Sequence, residues 1–191
     1  ASLAISSGWS LADNYLLVAA VVAIVSVWGS LQFPNRDKPV SGPRGEERKM
    51  ALGAWKEKRT LTIAIIGFSF IMAEISAGTW VPIALTVSGF SGSAAAFAFG
   101  MLWIVVTFGR LIGGFVVEKI GRYRTVLLST LVTASGILIF MLVEVIALPF
   151  VGLVLWGLGM SMGFPMSFAA MSDVPRKAPY RINMIITVFY I

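Results

Sequence analysis

Residues 16–28 read LLVAAVVAIVSVW, and this run of apolar side chains indicates a segment that lies in lipid and not in water. The run lies inside a longer apolar stretch, 11–33. A helix needs about 20 consecutive apolar residues to cross the hydrocarbon core of a bilayer. We therefore predict that residues 11–33 form a membrane-spanning helix.

Working outward from this stretch, four more of the same kind follow, and a sixth begins near Asn183. The four are 60–86, 94–117, 125–147 and 148–171. The last two join without a polar break, and one helix of their combined length would overshoot a bilayer, so a tight turn at Pro149 is predicted. The fold class that follows is all-α: a polytopic transmembrane helix bundle with about five full spans and a truncated sixth.

The composition agrees with a lipid environment. The chain of 191 residues is 58% hydrophobic and 13% charged, with a mean hydropathy of +0.88, whereas soluble domains carry about 25% charged residues. The net charge of +6 does not lie along one face, so no nucleic-acid partner is predicted. Cysteine and histidine are absent, which excludes disulfides and thiolate metal sites and removes the commonest general base. No metal and no cofactor are predicted.

The positive charges predict an orientation. All fifteen Lys and Arg residues except Arg110 lie in three connections, 34–59, 118–124 and 172–182, and the alternate connections hold none. By the positive-inside rule, the three basic loops are cytoplasmic in a plasma or inner membrane. The longest, 34–59, is rich in Pro, Gly and charge and is expected to be a mobile linker.

One of the basic loops carries a motif. It reads Gly114-Phe-Val-Val-Glu118-Lys119-Ile-Gly121-Arg122-Tyr-Arg124. This resembles the signature loop of the major facilitator superfamily (MFS), G-x-L-x-D-R-x-G-R-R/K. Gly114, Gly121 and Arg122 match outright. Glu118 and Lys119 keep the charge signs of the usual Asp and Arg, and the final basic residue comes one place late.

The resemblance implies a place for the chain within a larger transporter. It would comprise helices 6 to 10 and the start of helix 11, with the missing N-terminal half as its partner. Residues 1–33 would then be an extracytoplasmic loop and the last helix of that half, 34–59 the basic cytoplasmic linker, and 60–191 an incomplete C-terminal helix bundle. The opening residues show no signal-peptide pattern, which fits an excerpt.

The resemblance also implies that the loop is a conformational latch of the outward-open state, acting against the absent half. Gly114 would let helices approach closely, and Gly121 would supply a permissive backbone for the reversal. Glu118 would accept from a cation or a helix N-terminus. The alternative is an ordinary cytoplasmic turn whose positive charges anchor the topology: Lys119, Arg122 and Arg124.

Three charges fall within the apolar spans: Glu74, Arg110 and Glu144. Glu74 is near mid-span, where a lone carboxylate is costly, so it should face the protein interior or a wet cavity. It is the candidate for binding substrate or relaying a proton; the alternative is a structural partner for a group in the missing half. Arg110, an intramembrane cation, is expected to snorkel or cap carbonyls. Glu144 is expected at the interface.

Other side chains in the spans have a packing interpretation. The polar residues Thr62, Ser69 and Ser76 fall on the helix face opposite Glu74. The pairs Gly109-xxx-Gly113 and Gly159-xxx-Gly163 fit small-xxx-small packing. Three tryptophans could contact a substrate, although packing or interfacial anchoring is the simpler interpretation: Trp80, Trp103 and Trp156.

The resemblance implies secondary active transport of a small solute by alternating access, and Glu74 leads to the hypothesis of coupling to protons, as symport or antiport. The partners are then a small-molecule solute, protons and the lipid bilayer. The alternative from another class is a non-transporting polytopic membrane protein, such as a scaffold or sensor. An enzyme is not predicted, because the sequence lacks the usual catalytic constellations.

Overall fold

The computed structural model describes residues 10–32, 44–142 and 147–190. Within these ranges the chain forms eight α-helices and no β-strand. They are α1 (Leu11–Gln32), α2 (Arg44–Lys56), α3 (Lys58–Val87), α4 (Gly92–Ile120), α5 (Arg122–Phe140), α6 (Leu148–Met160), α7 (Gly163–Met171) and α8 (Ala178–Phe189). The prediction of five spans is confirmed, since five stretches of the described helices are long and apolar enough to cross a membrane, α6 and α7 counting as one.

Helix α1 belongs to a unit of its own, residues 1–43. Its start is capped reciprocally: the backbone N–H of Ser10 donates to the Asp13 carboxylate at 3.0 Å, and the backbone N–H of Asp13 donates to the Ser10 hydroxyl at 3.1 Å. Beyond this cap its large apolar side chains are exposed on every side. A helix that is apolar all round is suited to lipid.

Helices α3 and α4 form an antiparallel hairpin within the second unit, residues 44–191. The turn between them contains Gly89 at a positive φ of 88°. Ser91 caps α4, its hydroxyl accepting from the backbone N–H of Ala94 at 3.2 Å. The two helices bury apolar side chains against each other and against α6, among them Val81, Leu102 and Leu153. This hairpin is the frame on which the candidate site is built.

Helices α5 and α6 touch through their backbones. A Cβ added at Gly136 would lie 2.2 Å from the backbone N of Trp156, and one at Gly159 would lie 2.4 Å from the backbone N of Thr133. Both distances are too short for any side chain. Small residues therefore set the spacing of this pair, as is common between membrane helices.

The fifth span is interrupted after Met160. Helix α7 resumes at Gly163, and Pro165 has no N–H to donate to the carbonyl four residues earlier, that of Ser161. The break packs onto α4, where a Cβ at Gly109 would lie 2.3 Å from the Ser161 hydroxyl. The predicted small-residue pairs thus lie at packing contacts, and the proline coincides with a real discontinuity.

Some boundaries differ from those predicted. Helix α5 ends at Phe140, seven residues before the predicted end at 147, and α6 begins at Leu148 with Pro149 in its first turn. The predicted turn therefore lies before Pro149 and not at it. Proline is well tolerated in the first turn of a helix, because an N–H there would have no intrahelical partner. Glu144 lies outside the described residues. Helix α2, inside the basic linker, was missed by the sequence analysis; it packs against α8, with Ala54 buried.

Candidate functional site

Glu74 and Arg110 form an ion pair between α3 and α4. Arg110 Nη2 donates to Glu74 Oε1 at 2.8 Å. The Arg110 side chain is 41% exposed and the Glu74 side chain 21% exposed. Both lie inside membrane-length helices. Pairing lowers the cost of holding either charge at that depth. The sequence analysis expected Arg110 to snorkel or to cap carbonyls; among the described residues its side-chain partner is the Glu74 carboxylate.

The geometry of a helix hairpin explains why these two residues meet. At 1.5 Å per residue, Glu74 lies about 24 Å along α3 from Lys58, and Arg110 about 15 Å from Ile120 at the same end of the hairpin. Side chains tilt toward the N-terminus of their own helix. In an antiparallel pair the two side chains therefore lean toward each other. The long arginine side chain spans most of the remaining offset between the two positions along the hairpin axis. Two opposite charges in consecutive spans were the signal that could have predicted the pair.

A cavity of about 780 Å³ opens beside the pair. Glu74 and Arg110 are the charged groups among the described residues that line it. The rest of the wall is largely apolar, with five aromatic side chains: Trp103, Phe164, Phe168, Phe189 and Tyr190. The three phenylalanines form one cluster, with ring centroids 4.7, 5.6 and 6.0 Å apart. A mostly apolar pocket with a few convergent polar groups is typical of small-molecule sites.

The three tryptophans have different environments. Trp103 lines the cavity, whereas Trp80 is exposed on the surface of α3. Trp156 is buried edge-on against Phe140, with centroids 5.8 Å apart, and its indole N–H has no hydrogen-bond partner among the described residues. Only the Trp103 position is suited to contact with a solute in this cavity.

The polar stripe on the other side of α3 is separate from the ion pair. The hydroxyls of Thr62 and Ser69 donate to carbonyls of their own helix, both at 2.9 Å. Ser69 lines a different, smaller cavity of about 260 Å³ together with residues of α5 such as Thr133. The separation predicted from the helical wheel is therefore found in the structure.

The motif loop joins α4 to α5 in a single residue. Gly121 has φ +80° and ψ 160°, a backbone conformation that other residues rarely adopt. Within the described residues, a Cβ at Gly114 would meet nothing within 4 Å, so the close approach expected there is not made inside this bundle. The close approach occurs one residue earlier, because a Cβ at Gly113 would overlap the side chain of Met162. Glu118 and Lys119 are both exposed, and no ion pair of theirs is found within the described part of the chain.

Arg122 of the motif does have a partner, and the sequence analysis missed it. Arg122 Nη1 donates to Asp173 Oδ1 at 2.6 Å, and the other oxygen of Asp173 accepts from Arg59. Hydrogen bonds from Arg59, then from Arg122, hold the pKa of Asp173 below its ordinary value of 3.8. One carboxylate after α7 thus joins the start of α3 to the start of α5.

A second ion pair at the same end of the bundle links α3 to α8. Arg181 Nε donates to Glu57 Oε2 at 3.0 Å, Nη2 contacts the other oxygen, and Thr60 donates to the same carboxylate at 3.0 Å. The Arg181 side chain is only 5% exposed. Its hydrogen bonds lower the pKa of Glu57 from the ordinary 4.5, opposed by partial burial. Sequence reasoning missed this pair because the residues are far apart along the chain.

Comparison with known proteins decides the family. A model of the Major Facilitator Superfamily matches residues 1–190. The chain belongs to the Major Facilitator Superfamily. It is 30% identical over 148 residues to an uncharacterised MFS-type transporter of Yersinia pestis, a match that covers 76% of this chain and 38% of that protein. The chain thus spans well under half the length of this relative. No solved structure matches it.

Membership of the MFS confirms the resemblance on which the sequence analysis relied and, with the five apolar spans, the predicted helix bundle. The protein is an integral, multi-pass membrane protein of a transporter family, and that family points to transport rather than catalysis. The described residues contain no group of three or more acidic side chains that could hold a metal ion.

Proposed function

We propose that this MFS protein is a secondary active transporter that moves a small solute by alternating access. The observation that carries the proposal is the ion pair between Glu74 and Arg110 on the wall of a cavity of about 780 Å³. Charges at membrane depth are costly and usually mark a substrate or ion pathway. A scaffold has no need of such a pair beside a solute-sized cavity.

Glu74 is the proposed carrier of the coupling proton. An arginine guanidinium stays charged in proteins, so the carboxylate is the member of the pair that can change its charge. Protonation of Glu74 weakens its attraction to Arg110 and releases both groups for other contacts. That difference in contacts is what allows a proton to shift the balance between two transporter states. Symport and antiport both remain compatible with this step.

We also propose that the signature loop is the latch of the outward-open state against the missing half, and that ion pairs within this half hold the base of the loop in place. Arg122 of the signature loop is tied to Asp173, which also holds Arg59. These contacts connect the ends of α3, α5 and α7 on the side that the basic loops 34–59, 118–124 and 172–182 assign to the cytoplasm. In the proposed mechanism this network keeps those helix ends together as one body while the two halves of the transporter move.

The test is proton movement across a vesicle membrane. The full-length protein is reconstituted in liposomes that contain a pH-sensitive dye, and three kinds of probe are added in turn: carboxylates (lactate, 3-phenylpropionate), amines (ethanolamine, 3-phenylpropylamine) and a sugar (glucose). At least one kind should change the internal pH beyond the change in protein-free vesicles. Glu74→Gln should abolish this change, because the amide cannot exchange a proton.

The matched control is Glu46→Gln, an exposed carboxylate 4.0 Å from Arg176. This variant should behave as the wild type. If no probe moves protons in a well-folded wild-type preparation, or if Glu74→Gln couples as well as the wild type, the proposal is contradicted and the scaffold or sensor alternative gains support.

A further inference from the structure

The charge balance of the cavity restricts what it can bind. Among the described lining residues, the ionised groups are Glu74 on α3 and Arg110 on α4, which cancel when paired. The other titratable side chain in the wall is Tyr190, just beyond α8, while α7 contributes the uncharged Phe164 and Phe168. The net charge of the part of the wall that the described residues form therefore depends on the protonation of Glu74.

A proton on Glu74 leaves one uncompensated positive charge. Arg110 cannot lose its own proton, and an unpaired cation in surroundings of low polarity is strongly unfavourable. A bound anion restores neutrality. A bound cation does not, because a cation placed on the ionised Glu74 would displace Arg110 and remain within a few ångströms of it.

The geometry of Arg110 is suited to a second carboxylate. Its described contact with Glu74 is a single hydrogen bond through Nη2, so other guanidinium N–H groups remain for a ligand. A carboxylate can bind such a group through two parallel hydrogen bonds. The Arg110 side chain is also more exposed than that of Glu74, so a solute in the cavity can reach it.

The remainder of the wall indicates the body of the ligand. The phenylalanine cluster and Trp103 present aromatic surface to the cavity, and such surface favours stacking with another ring or burial of a bulky apolar group. A volume of about 780 Å³ is within the usual range for drug-sized ligands. A small, strongly hydrated anion would leave most of this apolar wall unmatched.

We propose that the substrate class of this site is an organic anion with an aromatic or other bulky apolar body, whose carboxylate replaces Glu74 on Arg110 when Glu74 takes up a proton. The inference rests on the proposed transport function and deepens it. In the proposed exchange, ionised Glu74 is paired with Arg110 before the anion binds, and the loaded cavity holds protonated Glu74, charged Arg110 and the anion. Each state leaves the charge of the described wall balanced, so one anion moves with one proton.

Calorimetric titration of the purified full-length protein tests this directly. The probes share one ring and differ in charge: 3-phenylpropionate, 3-phenylpropylamine and 3-phenylpropanol, with indole-3-acetate and hippurate as further anions. At least one of the three anions should bind in preference to the amine and the alcohol. Titrations in two buffers of different ionisation enthalpy should show about one proton taken up per anion, and the affinity should fall as the pH is raised.

Variants separate the proposed role of Glu74 in proton uptake from that of Arg110 in anion binding. Glu74→Gln should bind the anion without proton uptake and without this pH dependence. Arg110→Gln should lose at least tenfold in affinity, while Arg110→Lys, which retains the charge, should keep part of it. Glu46→Gln, which lies outside the cavity, is the control and should leave both the affinity and the proton uptake unchanged. The thermal unfolding of each variant shows whether it is folded.

Three outcomes would overturn the inference: tighter binding of the amine, binding of an anion by the wild type without proton uptake, or failure of all three anions to bind. Each is distinguishable from failure of the proposed function. If vesicles show proton movement with amines or with glucose, transport stands and the anion assignment falls. If no probe moves protons in vesicles, the proposed transport itself falls.

Discussion

Asp173 accepts hydrogen bonds from two guanidinium groups that lie far from it along the chain, those of Arg59 and Arg122. Its side chain is partly exposed, so solvent weakens each interaction. The stabilisation comes from the geometry of the contacts, because each of the two carboxylate oxygens of Asp173 has its own guanidinium partner. Glu57 is in a similar position, because both of its oxygens contact the buried Arg181. At the residue scale, these carboxylates hold together helix ends that the chain itself does not connect.

Replacing Asp173 by Asn should therefore destabilise the protein modestly. The amide keeps the size of the side chain but leaves Arg59 and Arg122 without a counter-charge, a loss of about 1 kcal/mol for a partly exposed network. Thermal unfolding in detergent measures the difference. Glu46→Gln, at an exposed pair 4.0 Å apart, is the control and should unfold like the wild type. Equal unfolding temperatures for Asp173→Asn and the control would contradict the network.

The same two carboxylates predict how stability depends on pH. Their pKa values are lowered in the folded protein from ordinary values of 4.5 for Glu57 and 3.8 for Asp173, so the unfolded chain binds their protons first as the pH falls. Their contribution is complete above these ordinary values and is lost at lower pH. The gap in unfolding temperature between the wild type and a Glu57→Gln, Asp173→Asn double variant should accordingly be widest near neutral pH. A gap that widens in acid would refute the assignment.

At the scale of elements, the bundle depends on contacts between helix backbones. Gly136 and Gly159 place α5 against α6, and Gly109 receives the break between α6 and α7. Lipid supplies no hydrophobic drive for helices to associate, so close packing of small residues takes that role. The break itself, at Ser161 and Met162, is fixed between α4 and the ring of Phe70, which a Cβ at Gly163 would overlap.

Gly136→Ala tests this packing. The added methyl would lie 2.2 Å from a backbone nitrogen of α6, which cannot move away without shifting the whole helix. We expect a loss of about 1–3 kcal/mol, measured by thermal or denaturant unfolding. Gly100→Ala in α4 is the matched control, because its Cβ would meet nothing within 4 Å and alanine favours the helix. Similar losses for both variants would show that α5 and α6 do not pack as described.

At the scale of the whole molecule, the distribution of charge predicts an orientation in the membrane. The basic residues outside the spans are concentrated in 34–59, 118–124 and 172–182, and the connection at 88–93 carries none. A chain with this asymmetry is expected to retain its basic loops in the cytoplasm, since translocating them is unfavourable.

Cysteine labelling tests this orientation, because these 191 residues contain no cysteine of their own. Single cysteines are placed at Arg176 and at Ser93, both exposed, after any cysteine elsewhere in the full-length protein has been replaced by serine. In intact cells a membrane-impermeant maleimide should label Ser93→Cys only, and after the membrane is opened it should label both. Labelling of Arg176→Cys in intact cells, with Ser93→Cys protected, would reverse the proposed topology.

Much of the architecture could be read from the sequence because lipid imposes a simple rule. Each crossing needs a helix of sufficient apolar length, so the spans at 60–86 and 94–117 correspond closely to α3 and α4. The errors in the predicted helices occur where tertiary packing overrides the local preference of the sequence. Helix α5 ends well before 147, although the residues up to that position remain mostly apolar, and α2 was missed because its polar sequence resembles a linker.

The sequence by itself determined the membrane class, the number of spans and the family, because each depends on the order of residues along the chain. It also predicted the side of the membrane on which the basic loops lie. Only the tertiary structure joined Glu74 to Arg110, placed Trp103 beside them, and gave Arg122 its partner Asp173. Those contacts depend on the rotation and tilt of each helix about its neighbours. Packing between side chains sets these angles, and no periodicity within a single helix encodes them.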